Sequence, residues 1–392
     1  MEQLNLKLHA LAIFRSILQD TVMQKLLALL DCSDKSDVEQ VSLYADFTAE
    51  LYSKNDNLTR YLLNLILEDE NVIMLRYAQG LPVDGHMNDC LKQELATLQQ
   101  VGTLTSATVK ACLEYDGFLP EWHTEEIDYM AEYTKRIANI GSHGYGMFAK
   151  YHMFIIRDSA ITPVQYPDDT QLTQLIGYQD ARQKVIDNTL ALLNDKPAAN
   201  VLLYGDAGTG KSSTVKAVVN RYKDRGLRLI EIEKKQLRDI PSIIDALSKN
   251  PLKFILFIDD LSFSSNDDDF GALKAILEGS VSARTSNIAI YATSNRRHLI
   301  KENFSDRDGN EVHYNDTVQE LTSLSDRFGL TVLFTAPGKN QYLEIVEGLA
   351  AQQNIAMPQD ELFLKAEQFA LLHSGRSARV AKQFIEHLLA TE

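Results

Sequence analysis

The sequence predicts a mainly α-helical N-terminal domain, followed by an α/β domain with a parallel five-stranded sheet and a helical C-terminal segment. Three observations predict this fold class. Apolar residues recur at helical spacing through the first 140 residues. After residue 173, short continuous apolar runs alternate with helical segments, which is typical of a parallel sheet covered on both faces. A glycine-rich phosphate-binding pattern follows the first of these runs.

Composition narrows the class of protein. A chain of 392 residues, 45% hydrophobic and 24% charged, has room for two or three folded domains and is not mainly disordered. Its three cysteines include no CxxC pair and are too few for a disulfide scaffold. The first residues do not resemble a signal peptide, and no apolar run approaches the roughly 20 residues that a membrane helix needs. We therefore expect a cytoplasmic protein with no membrane partner.

Charge is distributed unevenly along the chain. Residues 1–170 hold 13 Lys and Arg against 25 Asp and Glu, and so contribute most of the net charge of −15. An acidic surface repels phosphate backbones, so the N-terminal part is not expected to bind nucleic acid. In the rest of the chain, positive and negative charges are nearly equal in number. Two clusters there could form basic faces or could simply be solvated surface: Lys234, Lys235 and Arg238, and Arg296, Arg297 and Lys301.

Four regions follow from these patterns. Residues 1–140 form the helical domain, and 141–172 contain a strand or hairpin and then a linker with two prolines and two acids. Residues 173–336 form the α/β core, and 337–392 form three helices broken at 354–358 and 374–375. The five core strands are expected at Asn200–Tyr204, Leu227–Ile232, Phe254–Ile258, Ile288–Thr293 and Leu330–Phe334.

The strongest functional signal is the run GDAGTGKS from Gly205 to Ser212. It matches G-x-x-x-x-G-K-[ST], between a predicted strand and a predicted helix, which is the context this motif requires. Glycines let successive backbone N–H groups face a phosphate at the helix N-terminus. Lys211 supplies a positive charge to the β- and γ-phosphates, and Ser212 offers a hydroxyl to Mg²⁺.

Polar residues end two of the other strands. Asp259 and Asp260 follow the run FILFI, at the edge of the sheet where open α/β folds bind ligands. Asp259 is a candidate Mg²⁺ ligand, and Asp260 is a candidate to orient or deprotonate the attacking water. Asn295 ends the fourth strand and either contacts the γ-phosphate or its water, or merely caps the next segment.

Two arginine-containing segments follow. Arg327 stands in SLSDRFGL before the fifth strand, and Arg376 and Arg379 stand in SGRSAR before the last helix. In this order, the motifs from residue 171 to 392 resemble the AAA+ ATPase core. The whole chain is similar to a bacterial family of predicted AAA+ ATP-binding proteins of unknown function, through GYGMFAKY, LRLIEIEK, ILFIDDLSF, LEGSVSAR, YATSNRRHL and SLSDRFGL.

This resemblance implies roles for particular residues. Asn295 falls on sensor 1, and Arg327 falls on the arginine finger that a neighbouring subunit presents in trans. Arg379 falls on sensor 2, with Arg376 as the alternative. The segment around Ile176 and Gly177 resembles the one that brackets adenine. The expected catalytic residues are Asp260, Asn295 and Arg327, and the expected Mg²⁺ ligands are Ser212 and Asp259. The expected ATP-binding residues are Ile176, Gly177, Gly205, Asp206, Ala207, Gly208, Thr209, Gly210, Lys211, Ser212, Ser213 and Arg379.

Departures from the family pattern leave the function open among three classes. Many AAA+ proteins carry Glu where this chain has Asp260, which makes a slow signalling switch an alternative to a fast motor. The segment Glu233–Asp239 lacks the aromatic and glycine residues of a threading loop, which argues against an unfoldase. The insert Lys301–Glu320 has no assigned role. We expect a homo-oligomeric ATPase, using ATP and Mg²⁺, that acts on a protein partner through residues 1–157. The second class is a nucleic-acid-linked helicase loader or transposition-type ATPase, which Asp259-Asp260 and the basic clusters favour, and the slow switch is the third.

Overall fold

A computed structural model describes residues 1–263, 268–278, 286–295 and 327–391. The predicted insert Lys301–Glu320 and the basic cluster at Arg296, Arg297 and Lys301 lie outside the described residues. Contacts between Cα atoms divide the chain into two compact units, Met1–Lys150 and Tyr151–Glu392. Within the described residues, no helix has both the length and the apolar character needed to cross a membrane.

The first unit is helical. A buried apolar cluster that runs from Leu8 to Tyr145 forms its core. The buried carboxylate of Glu94 accepts the backbone N–H groups of Ala12, Ile13 and Phe14 at 2.8–3.1 Å, and so fixes the turn after the first helix. The helices are α1 Glu2–His9, α2 Thr21–Leu30, α3 Asp37–Lys54, α4 Leu58–Glu68, α5 Val72–Ala78, α6 Gly85–Gly102, α7 Ser106–Lys110, α8 Tyr129–Ala138, α9 Ile140–His143 and α10 Met147–Lys150.

The second unit alternates strands and helices before ending in three helices, as the sequence predicts. Its strands are β1 Met153–Arg157, β2 Ala160–Pro163, β3 Val201–Gly205, β4 Leu227–Glu231, β5 Lys253–Ile258, β6 Ile288–Ser294 and β7 Leu330–Phe334. Its helices are α11 Gln179–Leu193, α12 Lys211–Tyr222, α13 Ile240–Leu247, α14 Asp268–Glu278, α15 Lys339–Gln352, α16 Gln359–Leu372 and α17 Ala378–Thr391.

The sheet confirms the predicted α/β class but has seven strands rather than five. Its order is β2-β1-β4-β5-β6-β3-β7. The five expected strands are parallel to their neighbours. The two additional strands are the hairpin of β1 and β2, in which β1 pairs parallel to β4 and antiparallel to β2. Successive side chains of β1 point to opposite faces of the sheet, and those of Met153, Phe154 and Ile156 are buried. Strand β1 therefore buries apolar side chains on both faces, as a strand within a parallel sheet does.

Strand register brings the polar ends of three strands to one edge. In neighbouring β3 and β6, Tyr204 pairs with Ser294, and in β5 and β6, Ile258 pairs with Ala292. The residues that follow β3, β5 and β6 therefore emerge side by side at the carboxyl edge of the sheet, where ligands of such folds bind.

The C-terminal helices α15, α16 and α17 form an apolar cluster of their own. Ile176 and Tyr178, from the segment before α11, pack against this cluster. Tyr178 also contacts the sheet, because its ring lies 5.4 Å from that of Phe334, between centroids. This segment therefore joins the helical end of the unit to the sheet.

Candidate nucleotide-binding site

The loop between β3 and α12 is built on glycine conformations. Gly205, Gly208 and Gly210 have φ angles of +130°, +73° and +89°, in the range that L side chains rarely adopt. A Cβ at Gly205 would lie 2.1 Å from the carbonyl oxygen of Phe334. The glycines of the motif therefore stand where the backbone adopts positive φ angles, and at Gly205 also where a Cβ would not fit.

The end of β7 holds this loop in place. The Asp206 N–H donates to the carbonyl oxygen of Phe334 at 2.9 Å. The Asp206 carboxylate accepts the N–H of Ala336 at 2.6 Å. Thr209 closes the loop on itself, because its hydroxyl donates to the Asp206 carbonyl at 2.8 Å. These bonds orient the loop before any ligand binds.

Lys211 lies at the start of α12, and only 6% of its surface is exposed. Its Nζ donates to the carbonyl oxygens of Gly205 and Asp206 at 2.9 and 2.7 Å, and to Oδ1 of Asn295 at 3.0 Å. Burial lowers the pKa of Lys211, and nearby carboxylates, led by that of Asp206, oppose this shift. Within the described residues, the hydrogen-bond acceptors of this buried ammonium are all neutral.

Two oxygen-bearing side chains meet where the sequence predicts a Mg²⁺ site. The hydroxyl of Ser212 donates to Oδ1 of Asp259 at 2.6 Å, and the hydroxyl of Thr293 donates to the same oxygen at 2.5 Å. Hydroxyl and carboxylate oxygens are the ligands that Mg²⁺ prefers, usually together with water and substrate phosphates. The donor set of Ser212 and Asp259 therefore fits this ion.

Asp260 and Asn295 lie in direct contact. The Asn295 Nδ2 donates to Oδ1 of Asp260 at 2.8 Å, while its Oδ1 accepts from Lys211. Asp260 has a φ of +49°, and its N–H donates to the Thr293 hydroxyl at 2.9 Å. The Asn295 amide thus links Lys211 of the glycine-rich loop Gly205–Ser212, hereafter the P-loop, to Asp260, the second of the two carboxylates that follow β5.

The segment before α11 contributes the apolar side chains of Leu175 and Ile176 to the site. Gly177 has a φ of +75°, and a Cβ there would lie 3.1 Å from Cγ1 of Ile345. Tyr178 follows in a left-handed conformation, with its hydroxyl donating to the carbonyl oxygen of Thr335 at 2.8 Å. This turn places Ile176 against α15.

These elements enclose a cavity of about 600 Å³. Of the expected residues, Gly177, Gly205 and Asp206 shape the surrounding turns without lining it, and Arg327 lies elsewhere. The expected residues that line it are Ile176, Ala207, Gly208, Thr209, Gly210, Lys211, Ser212, Ser213, Asp259, Asp260, Asn295 and Arg379. Leu175, from the segment expected to bracket adenine, also lines it. The lining residues that the sequence analysis did not identify are Gln174, Arg182, Thr293, Ile345, Leu349, Ala378 and Lys382.

The two candidate sensor arginines have different surroundings. Arg379 lines the cavity, and its N–H donates to the carbonyl oxygen of Gly208 at 3.0 Å. Arg376 forms an ion pair with Glu367, at 2.6 Å between Nη2 and Oε2, which lowers the pKa of that carboxyl. The geometry therefore favours Arg379 over Arg376 for contact with a ligand.

Arg327 is engaged within its own chain. Its Nη2 lies 2.5 Å and its Nε 2.6 Å from Oε1 of Glu278, at the end of α14. The cavity of this chain does not include it.

The fold and this site define a P-loop protein of the AAA+ class. Residues 149–392 match the family described as "Protein of unknown function (DUF815)", and the chain belongs to that family.

The chain is also similar, over shorter segments, to subunits of replication factor C. It is 31% identical over 111 residues to replication factor C subunit 5 of Arabidopsis thaliana, covering 25% of this chain and 30% of that protein. It is 34% identical over 92 residues to the replication factor C large subunit of Sulfolobus acidocaldarius, covering 22% of this chain and 21% of that protein. The chain thus spans less than a third of these curated relatives.

Among solved structures, the chain resembles RuvB of Thermotoga maritima. A RuvB point mutant matches with a TM-score of 0.39 and 16% identity, over 56% of this chain and 65% of that one. The RuvB Holliday junction branch migration motor matches with a TM-score of 0.34 and 13% identity, over 56% of this chain and 72% of that one.

Proposed function

We propose that this protein is a Mg²⁺-dependent ATPase that couples hydrolysis to a conformational change in a protein partner. One observation carries the proposal: Lys211, Asn295 and Asp260 form a hydrogen-bonded chain along one wall of the cavity, beside the pair of Ser212 and Asp259. Glycine-loop amides, a lysine, a hydroxyl and two carboxylates together are the groups that phosphoryl transfer requires.

Binding of the phosphates is assigned to the P-loop amides and to Lys211. Phosphate oxygens replace the neutral acceptors that Lys211 now contacts, and a charge-assisted hydrogen bond is about twice as strong as a neutral one. Ser212 and Asp259 would hold Mg²⁺, which supplies positive charge to the β- and γ-phosphates. Catalysis of this kind depends on positioning and on electrostatic stabilisation of the transition state.

Asp260 is the residue best placed to orient the attacking water. Its Oδ1 is fixed by Asn295, which leaves the second carboxylate oxygen to accept a hydrogen bond from water. Asn295 holds this carboxylate at a fixed position relative to Lys211. Asp260 and Asn295 therefore act as a pair.

Coupling to motion is assigned to α17 and to a neighbouring subunit. Arg379 lies at the N-terminus of α17, lines the cavity and donates its backbone N–H to Gly208 of the P-loop. A contact of its side chain with the γ-phosphate would be lost on hydrolysis, which would change what holds this helix to the core. Arg327 completes the site of an adjacent subunit in a homo-oligomer. Residues 1–157 recognise the protein partner.

The test is ATP hydrolysis per subunit measured against protein concentration. Lys211→Ala provides the inactive reference, and Lys216→Ala provides a matched control, because Lys216 lies on the same helix and pairs with Glu231 outside the cavity. We expect a specific rate that rises with concentration and is lost only in Lys211→Ala. A wild-type protein that neither binds nor hydrolyses ATP would refute the proposal, and bound ATP with a flat, near-zero rate would favour the slow switch.

A nucleic-acid-linked ATPase is the second candidate, and the names of the replication factor C relatives favour it. The basic cluster of Lys234, Lys235 and Arg238 does not favour nucleic-acid binding, because its charges already have partners within the chain. Lys235 pairs with Glu233 at 2.6 Å, Arg238 pairs with Asp269 at 3.2 Å, and Lys234 lies over the ring of Phe263. DNA-stimulated hydrolysis that falls steeply with salt would support this candidate. Equal rates with and without DNA at low salt would exclude it.

A further inference from the structure

Arg182 is a cation on the apolar face of a helix. It shares one stripe of α11 with Val185, Thr189 and Leu192, which are all buried. Only 8% of its surface is exposed, and it lines the nucleotide cavity. Val185 and Leu192 belong to the apolar core that packs against the sheet. The stripe of α11 that faces this core therefore ends, at Arg182, in the cavity.

Within the described ranges of the chain, no acidic side chain compensates the charge of Arg182. Among the residues that the structure describes, its guanidinium makes no hydrogen bond or ion pair, and desolvation alone lowers the pKa of this group. Arg182 also lies in the first turn of α11, where the helix dipole disfavours positive charge. A buried, unpaired cation costs free energy unless a ligand brings the missing anion.

The position of Arg182 indicates which part of a nucleotide it meets. Arg182 lines the same cavity as Gly208 and Lys211 of the P-loop. Lys211 and Asn295, which would face the γ-phosphate, are hydrogen-bonded to each other, and Arg182 is not part of that pair. The phosphates that ADP and ATP share are therefore the candidates for contact with Arg182.

We propose that Arg182 is a nucleotide-binding residue whose guanidinium donates hydrogen bonds to the phosphate oxygens common to ADP and ATP. This inference rests on the proposed ATPase function. It assigns to Arg182 a role in affinity for nucleotide rather than in the hydrolytic step. Arginine suits this role because its planar fork can donate two parallel hydrogen bonds to one phosphate.

The test uses the full-length protein with Arg182→Gln and Arg182→Met. Lys184→Gln is the matched control, because it removes one positive charge from an exposed position on the same helix, outside the cavity. Binding of fluorescent ADP and ATP analogues, displaced by ADP and ATP, gives the affinities. For the wild type and each variant, the rate of hydrolysis at saturating ATP and the melting temperature with and without ADP are also measured.

We expect both Arg182 variants to bind ADP and ATP about 10- to 100-fold more weakly, by the same factor for each, as loss of hydrogen bonds to a charged group predicts. The rate at saturating ATP stays near the wild-type value, so the loss falls on KM. The ligand-free Arg182→Met protein melts at or above the wild-type temperature, because an unpaired buried charge is replaced by an apolar chain. Its stabilisation by ADP is smaller than that of the wild type.

Two results would overturn the inference. One is unchanged affinity for ADP in both variants. The other is that the ligand-free variants melt at a lower temperature than the wild type but, at temperatures where they are folded, bind ADP with wild-type affinity. That result would indicate an arginine with a purely structural role. Failure of the proposed function would appear separately, as a wild-type protein that binds neither ADP nor ATP.

Discussion

Asn295 occupies a position that only a side-chain amide fills. It accepts a hydrogen bond from Lys211 at Oδ1 and donates one to Asp260 at Nδ2. A carboxylate there would repel Asp260, and an aliphatic side chain would leave both partners without this link. The amide therefore holds the Lys211 ammonium, proposed to bind phosphate, and the Asp260 carboxylate, proposed to orient water, in one fixed arrangement.

Asp260→Asn tests the role of this carboxylate. The substitution keeps the shape and the acceptor for Asn295 but removes the charge. We expect ATP affinity within about threefold of wild type and a hydrolysis rate lower by about 10²- to 10⁴-fold, the range typical of a general base. Single-turnover hydrolysis with pre-bound ATP measures the effect.

The control for this experiment is Asp187→Asn, which neutralises an exposed carboxylate on α11. Hydrolysis by Asp260→Asn at the wild-type rate would show that another group orients the water.

Among the elements, the P-loop and β7 are built as one unit. Gly205 has no room for a Cβ because the Phe334 carbonyl lies against it, and Asp206 bonds to the backbone of β7 and of the residues after it. The φ of +130° at Gly205 is a second constraint on the same residue. The P-loop is thus positioned by its contacts with the end of β7.

Gly205→Ala is therefore expected to destabilise the protein. A steric clash with backbone and a disallowed φ together predict a loss of about 2–4 kcal/mol in the free energy of unfolding. Gly338→Ala is the matched control, since nothing lies within 4 Å of a Cβ there and its φ is −63°. Urea unfolding followed by circular dichroism compares the two, and equal stabilities would contradict the close packing described for Gly205.

For the whole molecule, the position of Arg327 bears on assembly. In this chain it is paired with Glu278 and lies outside the cavity that holds Lys211 and Asp260. Because Arg327 lies just before β7 and outside the cavity of its own chain, its proposed role is to complete the site of a neighbouring subunit.

A mixing experiment tests this trans contribution. Lys211→Ala and Arg327→Ala are each expected to be inactive alone, the first because phosphate binding is lost and the second because charge stabilisation is lost. Their mixture should regain activity, because an Arg327→Ala subunit keeps its P-loop and its Lys211→Ala neighbour supplies the arginine. ATP binding by Arg327→Ala alone should match that of the wild type.

The reference for this experiment is each variant at the same total concentration. A mixture no more active than either variant, while both still co-assemble with wild-type protein, would place the action of Arg327 in its own chain or outside catalysis.

Local sequence determined much of this protein. The glycine spacing from Gly205 to Gly210 follows from φ angles that other residues rarely adopt, and apolar runs of five or six residues predict the parallel strands because both faces of that sheet are buried. The polar residues after β5 and β6 could be placed at one edge because parallel strands share their direction. These features depend on neighbours along the chain, which a sequence displays.

Tertiary structure decided what depends on distant parts of the chain. The hairpin of β1 and β2 joins the sheet because the edge of β4 accepts it, and nothing near residue 155 shows that edge. Arg376 and Arg379 share one short motif, and only packing places Glu367 against the first and the cavity against the second. Arg182 had a visible signal, a charge on the apolar stripe of α11, but its meaning required the cavity at the end of that stripe.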